Sequence, residues 1–183
     1  MITYKSGNLL ESELQALTNT VNCVGIMGKG IALEFKSRYP SMFRDYVRRC
    51  QRKEVQPGIP YVYPEPVGAS QLGLGMLADS ETRESEHLIV NFPTKNHWRG
   101  NSRREWIELG LANIVEQYRC WGVASIAVPA LGCSNGGLDW ADIGPLMHEY
   151  LQDLDVLVEI YVPPGVDAAA PFANHAELLL AHS

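Results

Sequence analysis

The chain has no apolar stretch approaching the roughly 20 residues that a membrane-crossing helix needs. Its opening, MITYKSGNLL, lacks the charged-then-apolar pattern of a secretory signal. Cysteine is sparse and scattered. Cys23, Cys50, Cys120 and Cys133 form no CxxC pair, and with no sign of secretion they are expected as free thiols. The five histidines never take the spacing of a zinc site, so neither a metal nor a resident cofactor is expected. Basic residues nearly vanish after position 104, where Arg119 stands alone against 11 acids. The expected protein is soluble and cytoplasmic, monomeric, and makes no membrane contact.

What is present points to one folded domain. At 183 residues, 46% hydrophobic and 20% charged, the chain can bury a full core, which excludes bulk disorder. The net charge of −6 hides an asymmetry: residues 1–104 carry 14 Lys and Arg against 10 Asp and Glu. Eight basic residues crowd into 29–53, and Lys95, Arg99, Arg103 and Arg104 form a second cluster. Such a cluster is either a solvated helix face or a local field that attracts nucleic acid, because phosphate contacts depend on nearby charge rather than net charge.

Apolar periodicity predicts strands at Ile2–Lys5, Ala16–Asn22, Tyr61–Tyr63, Leu88–Phe92, Ala124–Pro129 and Val156–Val162, with a further one at Leu72–Ala78. Helices are predicted at Ile31–Arg38, at Met42–Lys53 (Pro40 ending the first and Ser41 capping the second), and from Arg103 to about Tyr118 with Ser102 as cap. A fourth, Asp139–Leu154, is expected to break near Gly144-Pro145, and a weak one follows at Ala173–Ala181. Asp79–Glu86 reads as an exposed loop. Residues 163–183 form a tail, packed or loose. Alternating strands and helices give a three-layer α/β domain with a central mixed sheet, whose ligand site lies where strands empty into helices.

Three segments occupy such positions. Asn19-Thr20-Val21-Asn22-Cys23-Val24-Gly25-Ile26-Met27-Gly28-Lys29-Gly30 is a glycine-rich turn between strand and helix, able to bring backbone N–H groups close to an anion. It is neither a Walker loop nor GxGxxG. Asn19 and Asn22 offer sugar-binding amides, or Asn22 simply satisfies its own turn. Leu131-Gly132-Cys133-Ser134-Asn135-Gly136-Gly137-Leu138-Asp139-Trp140 is a second such loop, its free N–H groups forming a phosphate-sized nest, with Asp139 better read as a helix cap. Two phosphate-compatible loops in one domain suggest a diphosphate lying across both. In the third, Asn91-Phe92-Pro93-Thr94-Lys95-Asn96-His97-Trp98-Arg99, Lys95 is a nucleophile, a phosphate ligand or a surface lysine. His97 is a base or a structural histidine. Trp98 with Arg99 is a base-stacking, phosphate-contacting pair, or Trp98 is core.

Together the three segments resemble the macrodomain family of ADP-ribose-binding folds, and NFPTKNHWR narrows the likeness to the DarG-type branch, DNA ADP-ribosyl glycohydrolases that remove ADP-ribose from thymidine. The resemblance covers about residues 1–162, taken as the macrodomain, and leaves 163–183 as the tail. It implies a six-stranded mixed sheet between helices. It also implies an ADP-ribose site formed by Asn8, Leu9, Thr20, Gly28, Gly30, Ile31, Gly132, Cys133, Ser134, Asn135, Gly136 and Gly137, with adenine at Asn8 and Leu9. Lys95 matches the family's catalytic lysine, with Asn22 on the distal ribose. Trp98, Arg99, Arg103 and Arg104 would hold single-stranded DNA, and a DarT-type toxin is the implied partner.

Three departures stand out. Asn8 replaces the aspartate that many macrodomains set against the adenine amine. Gly136 stands where a related human enzyme carries the aspartate paired with its lysine. The chain also ends before the C-terminal region usual in DarG-type antitoxins. The chemistry implied is cleavage between the distal ribose and a base. Lys95 acts as nucleophile if its pKa is lowered, by Arg99 and partial burial, and otherwise as an electrostatic clamp. Hydrolysis of ADP-ribosyl protein carboxylates or small esters, and ADP-ribose binding without catalysis, are the alternatives.

Overall fold

The computed structural model describes residues 1–65 and 87–172. The strand predicted at Leu72–Ala78, the loop at Asp79–Glu86 and the helix at Ala173–Ala181 lie outside these. Six strands, β1 (Ile2–Lys5), β2 (Ala16–Val21), β3 (Tyr61–Glu65), β4 (His87–Pro93), β5 (Ser125–Pro129) and β6 (Leu157–Tyr161), form one sheet in the order β1-β6-β5-β2-β4-β3. All neighbours are parallel except the edge pair β3 and β4. Four helices pack on it: α1 (Gly30–Arg38), α2 (Pro40–Gln51), α3 (Arg104–Gln117) and α4 (Trp140–Leu151). This is the three-layer mixed-sheet architecture expected from the sequence.

The strands show why the sheet needs cover on both faces. Successive side chains point to opposite sides, so Leu88, Val90 and Phe92 enter one core while Ile89 enters the other. Ile126 and Val128 likewise oppose Ala127. The first core meets Ile107, Leu111 and Ile114 of α3 and Ile143, Leu146, Met147 and Leu151 of α4. The second meets Phe35 and Tyr39 near α1 and Met42 and Tyr46 of α2. Gly110 lets α3 sit unusually low: a Cβ there would fall 2.1 Å from the Phe92 ring.

Three local expectations are corrected. Pro40 ends the first helix as expected, α1 stopping at Arg38, but Ser41 does not cap the second: Pro40 is itself the first residue of α2, where its fixed φ suits the helix and its missing N–H costs nothing. Ser102 does not cap α3. The cap position is Arg103, which makes no side-chain capping bond, and Ser102 instead donates its backbone N–H to the Gly136 carbonyl at 2.9 Å. Gly144-Pro145 does not break α4, which runs through Pro145. Only one intrahelical bond is lost there, while packing of Ile143, Leu146 and Met147 on the sheet holds the helix together. Asp139 caps α4 as anticipated, accepting from Ala141 N at 3.0 Å.

Beyond β6 the chain returns across the domain. Phe172 lies edge-on to Tyr4 and His148 and stacks with Trp140, whose indole N–H donates to the Pro171 carbonyl at 2.9 Å.

Candidate functional site

The parallel strands all empty at one edge of the sheet, and a cleft of about 890 Å³ runs along it. Sheet order dictates its layout. At one end lie Asn8 and Leu9 after β1 and Tyr161–Pro164 at the end of β6; next come Pro129 and the loop after β5; then the loop after β2; and last Thr94 and Lys95 after β4. Three strand spacings separate β6 from β4, roughly 14 Å at about 4.8 Å each. The cleft is therefore long enough for an extended two-ended ligand.

The loop after β2 is shaped by Asn22. Its Oδ1 accepts from Val24 N at 3.0 Å and Ile26 N at 3.4 Å, and its Nδ2 donates to the Ile26 carbonyl. The buried Tyr46 hydroxyl reaches up from α2 to the Asn22 carbonyl at 2.9 Å and Oδ1 at 3.0 Å. Met27 plugs the loop into the core at 2% exposure. The Asn22 amide thus organises its own turn. Asn19 is not in the cleft: it is fully buried, donating to Asn91 Oδ1 across β2 and β4 at 3.0 Å.

The loop after β5 is held by Leu138 N donating to Gly132 O at 3.0 Å and by the Ser102–Gly136 backbone bond. A Cβ on Gly136 would lie 2.2 Å from Gly132 O and 2.5 Å from Ser102 Oγ, so no side chain fits there. The two glycine-rich loops touch: a Cβ on Gly30 would lie 2.8 Å from Asn135 Nδ2. Where they meet, α1 begins at Gly30, aiming its unpaired N–H groups and positive dipole end into the cleft, an anion-binding arrangement.

Lys95 closes the far end. Its Nζ donates to the Asn135 carbonyl, bridging the β4 and β5 loops. The main chain beside it is tied to the β2 loop: Cys23 N donates to Asn96 O at 3.2 Å and Cys23 Sγ to Lys95 O at 3.3 Å. Burial lowers the Lys95 pKa from its ordinary value; Arg99, expected to help, contributes no part of the shift. Among the described residues the cleft carries Lys29, Lys95 and Arg99 against one acid, Glu34, so its field favours an anion.

Of the residues picked from sequence, Asn8, Leu9, Thr20, Asn22, Gly28, Gly30, Ile31, Lys95, Trp98, Arg99, Gly132, Ser134, Asn135 and Gly136 line this cleft. Four do not. Cys133 turns inward, its thiol on the Leu131 carbonyl at 3.6 Å and pushed up to about 12 by burial. Gly137 lies against Asn101 behind the loop. Arg103 lines a separate cavity with Trp106, and Arg104 points to the Asp142 carbonyl at 3.3 Å. The sequence reading missed Glu34, Thr94, Tyr161 and Pro163. Their common signal is position: each lies at or just past a strand's carboxyl end, or on the first turns of α1.

A model of the macro domain matches residues 18–147 of the chain. The chain belongs to the macro domain family. It is 45% identical over 166 residues to a "DNA ADP-ribosyl glycohydrolase" of Mycobacterium tuberculosis, covering 90% of this chain and 43% of that protein. It also matches the solved macrodomain of Mycobacterium tuberculosis DarG at 45% identity with a TM-score of 0.75, covering 89% of this chain and 98% of that one. A third likeness is to Thermosipho africanus DarTG in complex with ADP-ribose, 37% identical with a TM-score of 0.81, covering 93% of this chain and 44% of that one. This macro domain spans less than half the length of the curated relatives named for DNA ADP-ribosyl glycohydrolase that it matches. Its described residues contain no helix long and apolar enough to cross a membrane and no cluster of metal-ligating side chains.

Proposed function

We propose that this macro domain binds ADP-ribose and removes it from thymidine in single-stranded DNA, reversing the product of a DarT-type toxin and so acting as an antitoxin. The observation that carries the reading is a partly buried Lys95, its pKa lowered, at one end of a cleft whose middle is lined by two glycine-rich loops and the start of α1. The adenosine occupies the Asn8, Leu9 and Pro163 end. The diphosphate lies between Gly28–Gly30 and the Gly132–Gly136 loop, on the N-terminus of α1. The distal ribose then falls beside Thr20, Asn22 and Lys95, with the modified base toward Trp98 and Arg99.

Lys95 is the nucleophile in this proposal, and desolvation raises its neutral fraction. Its lone pair attacks the anomeric carbon of the distal ribose. The C–N bond to the base breaks, and the departing pair goes to the base nitrogen, which takes a proton from water. The lysine adduct sheds its extra proton, opens to an imine and is hydrolysed to free ADP-ribose and amine. Asn22 contributes as a positioning residue, fixing the loop wall against which the ribose rests. The Asn135 carbonyl orients the amine.

The test is release of ADP-ribose from a thymidine-modified oligonucleotide by wild type and Lys95→Ala, with an ADP-ribosylated glutamate protein as parallel substrate. Release from DNA by wild type alone is the expected result. Release from protein only would move the activity to carboxylate esters, and retained binding without release from either would make the domain a reader.

A further inference from the structure

A second cavity, about 700 Å³, opens beyond the Lys95 end of the cleft. Asn96, His97, Arg99, Asn101, Arg103 and Trp106 line it, and among the described residues no acid does. Arg99 lines both cavities, so the second continues from the first on the side away from Asn8 and Pro163. Its cations are preset against aromatic rings: Arg103 lies over Trp106 at 4.9 Å and Arg99 over Trp98 at 4.6 Å, with His97 stacked on Trp98 at 5.5 Å. Trp98 is not core; it is 46% exposed. None of these cations forms an ion pair among the described residues.

We propose that this second cavity is a subsite for the nucleotide next to the modified one in a single strand, with Arg99 and Arg103 holding the linking phosphodiester. The inference rests on the glycohydrolase reading, because that reading sends whatever is attached to the distal ribose out past Lys95. What it meets there is a pair of guanidiniums with planar faces and forked donors, which suit a phosphate and a stacked base together. Ring contacts restrict the two arginines before binding, so less side-chain freedom is lost on forming the complex. A flexible acidic peptide would use the charge but not the aromatic walls, which favours a nucleic acid strand. Arg104, although adjacent in sequence, takes no part because it is directed at α4.

The experiment uses the full chain and three probes: thymidine carrying ADP-ribose, the same modified thymidine within a 12-nucleotide single strand, and the unmodified strand. Wild type is expected to have a kcat/KM at least about tenfold higher on the strand than on the nucleoside. Arg103→Ala should lose most of that preference through KM, with Arg103→Lys intermediate because it keeps charge but not the fork. Affinity for the unmodified strand, read by anisotropy, should fall with salt, and Arg103→Ala should flatten the log–log slope by about one. Equal turnover of nucleoside and strand by wild type, or a preference unchanged in Arg103→Ala, would overturn the subsite and leave the glycohydrolase reading intact. No turnover of either, with strand binding still dependent on Arg103, would overturn the glycohydrolase reading and keep the nucleic acid groove. A polyglutamate peptide competing as strongly as the strand would overturn the choice of nucleic acid.

Discussion

Lys95 donates a hydrogen bond to the main-chain carbonyl of Asn135, joining the end of β4 to the glycine-rich loop after β5. A carbonyl can orient an amine but cannot take up a proton from it. This contact therefore aims the lone pair without fixing Lys95 as an ammonium, unlike a carboxylate partner. Lys95→Ala should lower turnover by at least about 10³-fold, the scale of losing a group that acts in the reacting step. ADP-ribose affinity should change little, because the proposed placement rests the diphosphate on the loops and α1. Lys95→Arg, always charged, should be equally inactive. Calorimetric titration of ADP-ribose beside the turnover assay checks both, and an active Lys95→Arg would return the lysine to a purely electrostatic role.

The pH profile follows from the same desolvation. Burial disfavours the ammonium and lowers the Lys95 pKa, so the reactive neutral amine accumulates at lower pH than for a free lysine. The rate should rise with pH and level off below the ordinary lysine range of about 10.4. Stability runs the same way. Between the lowered folded value and the ordinary unfolded one, the unfolded chain binds more protons, so this group's contribution to stability rises with pH across that window. A rate that falls as pH rises through this range would identify a protonated Lys95 as the working form.

Gly136 explains why the lysine has a carbonyl partner instead of an acid. With Gly132 O only 2.2 Å and Ser102 Oγ 2.5 Å from where a Cβ would sit, a carboxylate cannot be introduced without unfolding the loop. Gly136→Ala should displace the loop and weaken ADP-ribose binding by about tenfold or more. Gly136→Asp should be no better, rather than gaining an acid partner for Lys95. A Gly136→Asp variant with wild-type affinity and faster turnover would show that the loop relaxes freely.

On α3, Gly110 does not line the cleft and carries a stability prediction of its own. A Cβ there would lie 2.1 Å from the Phe92 ring, so Gly110→Ala gains helix propensity but overpacks the α3–sheet core. A net loss of about 2–3 kcal/mol is expected from chemical denaturation. Shrinking the ring with Phe92→Leu in the same chain should recover part of it. Additive losses in the double variant would mean the two positions do not share the strain.

The fold was legible where patterning is redundant. A run such as Leu88–Phe92 reads as a buried strand whichever face each residue takes, and strand–helix alternation dictates three layers. Pairing was not legible: β1 lies beside β6 although nearly the whole chain separates them, so Tyr161 and Pro163 entered the cleft unannounced. Ser41 and Gly144-Pro145 misled because proline itself can open a helix and tertiary packing outweighs a single missing bond. Within the site, Lys95 and the glycine loops were legible from the strand-to-loop-to-helix order. For Asn22 the turn-satisfying alternative was legible, but its support from Tyr46 was not, because only the folded chain brings α2 beneath the loop.

Those hydrogen bonds make Tyr46 a remote control on the site. Its hydroxyl is fully buried on α2 and supports Asn22 at two points, the carbonyl at 2.9 Å and Oδ1 at 3.0 Å. Burial raises the pKa of this phenol, so it remains a neutral donor throughout the working pH range. Tyr46→Phe removes the donor and leaves the ring in place, costing about 1 kcal/mol of stability. The Asn22 amide then loses its anchor from below, and the loop proposed to pack the diphosphate and distal ribose gains freedom. KM should rise several-fold with kcat nearly unchanged while Lys95 stays tied to Asn135. Asn22→Ala, which also removes the bonds to Val24 and Ile26, should be more severe in both terms. A Tyr46→Phe variant that loses stability yet binds ADP-ribose as tightly as wild type would show that the loop keeps its shape without support from α2.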